Sequence, residues 1–246
     1  MMPAGLFDDA TTVVRRTKRE AAATREALLD AALRVFRERG VARTTLAEVA
    51  AAAGVTRGAV YWHFRDKAEV FTAVCERVQL PMEATLAQVG ESRHRDPLAA
   101  LREVALDALA RLATDPGAQA VFDVIFHKCE FAVEFAAVIE RRQSTDSACH
   151  LNVERLLKQA VAVRELPRDT DTRLAARSMN AFMVGVMHQW VQRPEAYDLG
   201  AAAPQMVDLF IAGLRTRPPR LVAAGKRRVA RSGTMNKPRP NTARAT

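Results

Sequence analysis

Apolar residues recur at the three- and four-residue spacing of an amphipathic helix along nearly the whole chain. No stretch shows the alternation of apolar and polar residues that marks a β-strand between turns. Apolar residues make up 49% of the 246 residues, enough to bury a sizeable core. The pattern predicts an all-α fold of about nine helices.

The first third of the chain marks its helix ends with capping residues. A hydroxyl or carboxyl side chain at a helix start accepts a backbone N–H bond, and a glycine after a helix adopts left-handed backbone. Two short helices joined by a glycine turn, behind a longer helix, form a helix-turn-helix pattern. The expected starts are Thr17, Thr45, Thr56 and Asp66, and the expected stops are Gly40 and Gly54.

Longer amphipathic stretches follow the helix-turn-helix pattern. Pro81 predicts a kink or break in the fourth helix because it lacks a backbone donor. Asp96 and Pro97 begin another helix, and residues 115–117 end it. The remaining helices are predicted at 118–141, 144–165, 170–193 and 202–215. The expected parts are a flexible basic arm (1–16), the helix-turn-helix domain (17–67), a larger helical domain (68–216) and a disordered basic tail (217–246).

Charge is unevenly distributed along the chain. Lys and Arg number 37 against 28 Asp and Glu, and the nine basic residues from Arg217 onward have no acidic residue among them. Residues 1–67 carry a net charge of +4 and residues 68–216 a net charge of −4. This balance favours a polyanionic partner such as nucleic acid. Four basic residues near the start of the chain either enter a minor groove or remain solvated; they are Arg15, Arg16, Lys18 and Arg19.

Several classes of protein find no support in the sequence. The three cysteines form no CxxC pair, so we expect neither disulfides nor a bound metal. No apolar run is long enough for a membrane span or a signal peptide, and we expect a cytoplasmic protein without a membrane partner. A glycine-rich phosphate loop, a nucleophile elbow and a metal motif are all missing. We therefore expect no cofactor and no enzymatic activity.

The segment from Thr24 to Phe71 resembles the N-terminal domain of TetR-type transcriptional regulators without a gap. The residues that carry the resemblance are Thr44-Thr45, the Ala53-Gly54-Val55 turn and the run Tyr61-Trp62-His63-Phe64. Later motifs resemble the ligand-binding domain of the AcrR branch, whose members repress multidrug efflux pumps; they are residues 125–131, 154–156, 187–190 and 197–199. The resemblance covers residues 17–215 and implies a ligand-binding and dimerisation domain after residue 67.

The third helix is the expected reader of the DNA major groove, which admits one helix. Arg57 is the candidate for a bidentate contact to guanine. The resemblance implies phosphate contacts from Tyr61, His63 and Lys67, while Trp62 and Phe64 are interpreted as core. Thr45 and Thr56 are expected to cap helices and contact DNA. The predicted DNA-binding set is Thr44, Thr45, Thr56, Arg57, Gly58, Ala59, Tyr61, Trp62, His63 and Lys67.

A pocket for a small lipophilic, cationic effector is expected in the larger domain. Glu130 lies on an otherwise apolar helix face, where a carboxylate is costly to bury without a partner. It faces either a cationic ligand or a basic side chain such as Lys128. Gln79 stands where close family members have an acidic residue. The predicted ligand-binding set is Gln79, Phe122, Phe126, Glu130, Val133, Met183 and Met187.

The last two helices carry the richest apolar stripes, and the resemblance implies that they form a four-helix interface in a homodimer. A core within one protomer is the alternative for about half of these positions. A twofold dimer would present two recognition helices to a near-palindromic operator. The predicted interface set is Met179, Phe182, Val186, Trp190, Val207, Phe210, Ile211 and Leu214.

Three functional hypotheses follow. The first is a homodimeric repressor that leaves its operator when a lipophilic drug binds, and that controls an efflux operon. The second keeps the DNA-binding module but assigns fatty acyl or quorum-type effectors, because one fold hosts many ligands. The third is an architectural protein that coats DNA through its basic tail.

Overall fold

The computed structural model describes residues 8–129 and 136–221, with side chains described for 18–129 and 148–221. This part of the chain has no β-strand and confirms the all-α fold. None of its helices is long and apolar enough to cross a membrane. A π-helical turn, Val124–Lys128, continues the sixth helix, and a 3₁₀ turn, Pro194–Ala196, precedes the ninth. The helices are α1 Asp8–Arg39, α2 Leu46–Ala53, α3 Arg57–His63, α4 Lys67–Glu91, α5 Pro97–Thr114, α6 Pro116–Asp123, α7 Ala136–Ala162, α8 Thr172–Gln192 and α9 Leu199–Thr216.

Side-chain caps begin α2, α3 and α4 at the predicted residues. The Thr45 hydroxyl accepts the Glu48 N–H at 3.3 Å, and the Glu48 carboxylate accepts the Thr45 N–H at 2.8 Å. This reciprocal pair is a capping box, which satisfies two backbone donors at one helix start. Asp66 likewise accepts the N–H of Glu69 at 2.8 Å. Gly54 ends α2 as predicted, with a φ of +69°. Glycine adopts this left-handed conformation without strain because it has no Cβ.

Helix α1 begins earlier than predicted. Its first residue is Asp8, so residues 8–16 are helical and the prediction of a loose arm is wrong for them. Thr17 lies inside the helix and does not start it. Residues 8–16 contain neither glycine nor proline, so a helix formed downstream can extend back through them. The side chains of Arg15 and Arg16 lie outside the described residues.

Two predicted boundaries near proline and the π-helical turn also differ. Pro81 lies within α4, which continues to Glu91, so the predicted break is absent. The helix predicted at 118–141 instead changes to a π-helical turn at Val124 and becomes extended at Cys129. The backbone carbonyl of Lys128 accepts a hydrogen bond from the N–H of Val41, a residue distant in sequence. Apolar spacing continues through this region, so periodicity alone predicts an unbroken helix.

Residues 217–221 are ordered against the α7–α8 loop. Asp171 donates its N–H to the carbonyl of Pro219 at 2.8 Å, and Leu221 donates to Asp169 at 2.9 Å. Arg220 forms an ion pair with Asp169. The prediction of a disordered tail from residue 217 is therefore wrong for these five residues, while residues 222–246 lie outside the described part.

Helix α4 joins the two halves of one apolar core. Its first turns bury Val70 and Phe71 against the α1–α3 module, where Phe71 meets Phe36 edge-on at 6.1 Å. Arg77 then pairs with Asp30 of α1 at 2.7 Å. The later turns of α4 pack with α5, α6 and α7. A displacement of α4 must therefore move the module relative to the rest.

Candidate DNA interface and effector cavity

The short helix α3 has one buried side and one open side. Val60 and Phe64, one turn apart, are buried in the module, which confirms Phe64 as core. Trp62 is 73% exposed, so its interpretation as core is wrong. Two residues of helix correspond to a rotation of about 200°, which places Trp62 opposite Val60. Tyr61 is also exposed, and the open side therefore presents aromatic and hydrogen-bonding groups to a partner.

Arg57 lies at the start of this open side and is held by its neighbour one turn on. Its Nη2 donates to the hydroxyl of Tyr61 at 3.2 Å, and its guanidinium lies 5.4 Å from the Tyr61 ring centre. The hydrogen bond to Tyr61 raises the pKa of Arg57. Gly58 leaves space here, because a Cβ added to it would meet no atom closer than Thr56 Oγ1 at 3.9 Å. The end of α3 can therefore approach base edges closely.

His63 ends α3 in a half-buried position. Burial lowers its pKa below the usual 6.5, and the nearby charge of Arg25 adds to this effect. Arg25 itself lies over the Phe64 ring at 5.3 Å. His63 is thus mainly neutral at pH 7, so its ring offers a hydrogen-bonding group and little positive charge.

Three predicted DNA contacts lie around the loop before α2. Lys67 extends its Nζ to the carbonyl of Ala42 at 2.7 Å, which places the ammonium group beside this loop. Thr45 is exposed at the start of α2, and its hydroxyl also donates to Glu48 at 2.9 Å. Thr44 is only 2% exposed and donates its hydroxyl to the carbonyl of Gly40 at 2.8 Å. We therefore remove Thr44 from the predicted contacts, since its burial leaves it a structural role.

A cavity of about 190 Å³ lies between α4, α5, α6, α7 and α8. Its wall is mainly aliphatic, aromatic and thioether, as in sites for lipophilic ligands. Four residues of the predicted set line it: Gln79, Phe122, Met183 and Met187. Phe126 does not, but it stacks on Phe122 at 5.6 Å, and Glu130 and Val133 lie outside the described residues. The other lining residues are Met82, Glu83, Leu86, Leu101, Val104, Ala105, Ala108, Cys149, Val153, Met179, Asn180 and Val184.

Glu83 is the acidic residue of the described cavity wall. It lies one helical turn after Gln79 on α4, so both side chains face the cavity. This spacing was visible in the sequence, but Glu83 was not included in the predicted set. Asn180 of α8 adds an amide to the wall. A carboxylate and two amides among apolar residues suit a ligand with a cationic or hydrogen-bonding group.

Most residues predicted for the dimer interface are core residues of one protomer. Trp190, for example, is buried and donates its indole N–H to the carbonyl of Tyr197 at 3.1 Å. Phe182 and Phe210 are half-buried and stack on each other at 5.2 Å. The intramolecular alternative therefore fits six positions, whose side chains are buried within one protomer. These six are Met179, Val186, Trp190, Val207, Ile211 and Leu214.

Six exposed residues of α8 and α9, four of them small or apolar, form what we call the outer face: Arg177, Ala181 and Val184 of α8, with Gln205, Leu209 and Ala212 of α9. Leu209 is 77% exposed. The three- and four-residue spacing places the members on one side of each helix. Nothing lies within 4 Å of a Cβ added at Gly185 or Gly213, so another helix has room to approach.

A second set of contacts joins the cavity domain to the α1–α3 module through the π-helical turn. The backbone N–H of Val41 donates to the carbonyl of Lys128 at 3.0 Å. Asp123 lies 3.6 Å from Arg37 of α1 and 3.1 Å from His127 Nδ1. The cavity residue Phe122 precedes this cluster directly. The module is therefore held both by α4 and by the turn after α6.

Sequence comparison places the chain among known regulators. Residues 28–74 match the profile of bacterial regulatory proteins of the tetR family, and residues 96–216 match the C-terminal region of MAATS-type transcriptional repressors. The chain is 36% identical to the HTH-type transcriptional regulator AcrR of Shigella flexneri over 199 residues, which are 81% of this chain and 93% of that protein. The chain belongs to the TetR family of transcriptional regulators. This confirms the resemblance seen in its helix-turn-helix motif.

Solved structures of multidrug efflux pump repressors have the same fold. NalD, the secondary repressor of the MexAB-OprM multidrug efflux pump in Pseudomonas aeruginosa, superposes with a TM-score of 0.73 at 32% identity, covering 80% of this chain and 98% of NalD. SmeT, the repressor of the Stenotrophomonas maltophilia efflux pump SmeDEF, has been solved with triclosan. That complex gives a TM-score of 0.71 at 33% identity, covering 89% of this chain and all of SmeT.

Proposed function

We propose that this TetR-family protein is a dimeric repressor that binds a near-palindromic operator and is released from it by small lipophilic molecules, controlling a multidrug efflux operon. The observation that carries the proposal is the position of α4. One helix contributes Gln79 and Glu83 to the apolar cavity and, at its other end, holds the DNA-reading module through Lys67 and Phe71. The names of AcrR, NalD and SmeT support the same role.

The proposed DNA contacts divide into two kinds. Arg57 reads a base edge from the start of α3, because its guanidinium can bridge guanine O6 and N7. Tyr61, His63, Lys67 and Thr45 hold phosphates and set the position of α3 in the groove. Trp62, exposed beside them, adds apolar contact to the sugar or to a thymine methyl group. The remaining proposed members, Thr56, Gly58 and Ala59, form the start of α3.

The proposed effector is lipophilic and carries a positive charge. Apolar side chains and thioethers supply most of the wall, which suits ligands of varied shape. The carboxylate of Glu83 interacts favourably with a cation inside a medium of low dielectric constant. A neutral ligand gains only the apolar and hydrogen-bonding contacts, so charge is the basis of the proposed preference.

Release follows from a difference in affinity between two arrangements of the protein. A ligand shifts the equilibrium only if it binds the DNA-incompetent arrangement more tightly. Filling the cavity pushes on α4, and Arg77 transmits the displacement to α1 through Asp30 and Glu26. The two α3 helices of the dimer then no longer match successive major grooves, which lie about 34 Å apart.

The dimer is proposed to form through the outer face of α8 and α9. Leu209 and Val184 expose apolar area there, and Gly185 and Gly213 permit close helix approach. A twofold axis through this surface would create a four-helix contact in which each copy presents the same patch. Such a dimer acts in the cytoplasm, where its operator lies.

The test is fluorescence anisotropy of the protein on DNA from upstream of its own and adjacent genes, at near-physiological salt. We expect tight, sequence-preferring binding that ethidium and similar lipophilic cations release. A neutral phenol and a fatty acyl compound form the other arms of the panel. Release by the acyl compound alone would assign another effector class, and equal affinity for operator and random DNA would contradict the repressor.

A further inference from the structure

A second cleft, which we call the polar cleft, lies between the α1–α3 module and the π-helical turn and has a volume of about 190 Å³. Unlike the effector cavity, it has a mainly polar wall. The two share no lining residue, and no residue of the polar cleft belongs to the proposed DNA contacts. Its wall includes Glu38 and Arg39 at the end of α1, Ala42 and Arg43 in the following loop, and His127 and Lys128 in the π-helical turn.

Positive charge is in excess on the wall of the polar cleft. Arg43 and Lys128 carry one positive charge each, against the carboxylate of Glu38. Arg39 adds a further cation, which is paired with Glu48 of α2. Charges of one sign that line a concave surface raise the local concentration of ions of the opposite sign. The polar cleft therefore attracts an anion.

The loop before α2 brings hydrogen-bond donors to the same wall. The Nε of Arg43 donates to the carbonyl of Arg39 at 2.8 Å, whereas its two Nη groups bond no residue in the described part of the chain. The backbone N–H groups of Ala42 and Arg43 likewise donate to no described residue. Consecutive N–H groups of a turn and a planar guanidinium are both common ligands of phosphate oxygens. The loop therefore suits an oxyanion in particular.

His127 adds a group of a different kind to the wall. Its Nδ1 lies 3.1 Å from the Asp123 carboxylate, which in its ionised form can only accept a hydrogen bond, so Nδ1 carries the proton. In the neutral ring Nε2 is then an acceptor. This atom is buried and has no hydrogen-bond partner among the described residues, although buried polar atoms normally have one. A ligand with oxygens for the cations and a hydroxyl proton for Nε2 satisfies both sets of groups.

We propose that the polar cleft binds a phosphate group, either as the hydrogen phosphate ion or as a small phosphate monoester. The phosphate oxygens accept from Arg43, Lys128 and the N–H groups of the loop, and a hydroxyl of the ligand donates to His127. A volume of about 190 Å³ is far more than one water molecule requires, so a phosphate group with a small substituent fits. Sulfate has the same shape but lacks the proton that Nε2 accepts.

A phosphate group bound there joins two parts of the protein. Arg43 belongs to the loop before α2, and Lys128 belongs to the turn that continues α6. The ligand adds to the contacts that already connect these parts, which include the hydrogen bond from Val41 to Lys128 at 3.0 Å. Because the ligand needs both parts in place, it favours the arrangement of module and turn described above. This binding requires neither operator recognition nor the lipophilic effector.

The experiment is a titration of the full chain at constant ionic strength and about pH 8, where hydrogen phosphate and sulfate both carry two negative charges. Inorganic phosphate, glycerol phosphate and sulfate are the three ligands. Two-dimensional NMR follows the backbone amide signals of Ala42 and Arg43, which report on the polar cleft and not on the open side of α3. The variants Arg43→Gln and Lys128→Gln remove one charge each from the wall. Arg111→Gln is the matched control, because Arg111 is exposed on α5 outside the cleft.

We expect saturating shifts of both amide signals with inorganic phosphate or glycerol phosphate, and the tighter of the two identifies the source of the phosphate group. Each cleft variant should bind at least about tenfold more weakly, because it loses a hydrogen bond between charged groups. Sulfate should bind about two- to tenfold more weakly than inorganic phosphate, because it forms no hydrogen bond with His127. The Arg111→Gln variant should bind phosphate like the parent, and circular dichroism checks that each variant is folded.

Three results would overturn the proposal. The amide signals of Ala42 and Arg43 could stay unchanged while those of α3 move, which would place the phosphate on the DNA-reading surface. The folded Arg43 and Lys128 variants could bind phosphate as tightly as the parent, which would exclude these cations as ligands. Sulfate could bind as tightly as phosphate, which would leave a general attraction of anions in place of a phosphate site. Operator affinity, measured separately by anisotropy, tests the proposed repressor and is independent of all three results.

Discussion

Single residues at the DNA interface combine a structural and a proposed binding role. Thr45 caps α2 and remains exposed, while Tyr61 accepts the hydrogen bond that orders Arg57. Trp62, which was interpreted as a core residue, is exposed. Thr44, which was predicted to contact DNA, is buried. Trp62 is exposed because it lies on the side of α3 opposite the buried Val60, whereas Thr44 lies in the loop before α2 and its hydroxyl donates to the carbonyl of Gly40.

The Arg57→Ala substitution should weaken operator binding by about 1 to 3 kcal/mol and relax preference for the operator over random DNA. The reason is loss of the proposed bidentate base contact, since Arg57 is exposed and its side chain contacts Tyr61. Anisotropy titrations on both DNAs measure the effect. Arg111→Ala is the control, because Arg111 is exposed on the surface of α5, where it pairs with Asp107. Unchanged discrimination in the Arg57 variant would contradict its role.

The Glu48→Gln substitution should destabilise the protein in a pH-dependent way. Hydrogen bonds from Thr45 lower the pKa of Glu48 below its ordinary value of 4.5, and the charge of Arg39 contributes. A lowered carboxyl pKa stabilises the folded state above pH 4.5, and this stabilisation is lost as the pH falls through the folded-state value. The difference in melting temperature between the variant and the parent should therefore be present at pH 7 and shrink below pH 4.5. A constant difference would argue against the ionised cap.

The Glu83→Gln substitution should weaken binding of a lipophilic cation by about 1.5 to 3 kcal/mol and leave a neutral ligand nearly unaffected. The substitution keeps the shape of the side chain and removes its charge from the cavity wall. Titration calorimetry with ethidium and with a neutral phenol measures the two affinities. Glu76→Gln, on the same helix but outside the cavity wall, is the control. An equal loss of affinity for both ligands would indicate that the substitution changes the shape of the cavity and that the charge of Glu83 has no separate effect.

At the scale of elements, helix starts were more predictable than helix faces. The caps at Thr45, Thr56 and Asp66 depend on residues within one turn of chain, and all three are in place. The π-helical turn depends on a residue more than 80 positions earlier, because the N–H of Val41 donates to the carbonyl of Lys128. No local pattern contains that information.

Two glycines of the DNA-reading module should respond oppositely to alanine. Gly54→Ala should destabilise the protein by about 1 to 2 kcal/mol, because its φ of +69° strains any residue with a Cβ. Gly58 lies in helical backbone with open space around it. Gly58→Ala should therefore leave the free energy of unfolding unchanged or raise it by up to about 1 kcal/mol. It should nevertheless weaken operator binding, since the added methyl group stands at the proposed groove contact. Urea unfolding and anisotropy together separate the two effects.

At the scale of the whole molecule, the cavity, the module and the proposed dimer share their helices. Helix α4 touches both the module and the cavity, and α8 contributes Met183 to the cavity and Val184 to both the cavity wall and the outer face. A ligand that shifts these helices therefore affects the spacing of the two DNA-reading modules in a dimer. This sharing gives the proposed effector site and the proposed DNA interface a direct mechanical connection.

The Leu209→Arg substitution should convert the proposed dimer to a monomer without unfolding it. Leu209 is exposed, so an arginine meets solvent in the monomer and an apolar partner only in the dimer. Size-exclusion chromatography with light scattering measures the mass, and circular dichroism checks the fold. Leu80→Arg is the control, since Leu80 is 46% exposed on α4 away from the outer face. If the Leu209→Arg variant remains a dimer, the interface lies elsewhere. By contrast, Val207→Arg should unfold the protein, because Val207 is fully buried.

The sequence by itself determined the helical class, the capped starts of α2 to α4, the DNA-reading motif and the surplus of positive charge after residue 217. Each of these depends on residue type and on spacing within a few turns. The tertiary structure alone decided that Glu83 faces the cavity, that Trp190 and Val207 are core, and that Arg220 is tied to Asp169. An apolar stripe is the same in sequence whether its own core or another copy covers it. Which of these buries it depends on helices that meet only when the chain has folded.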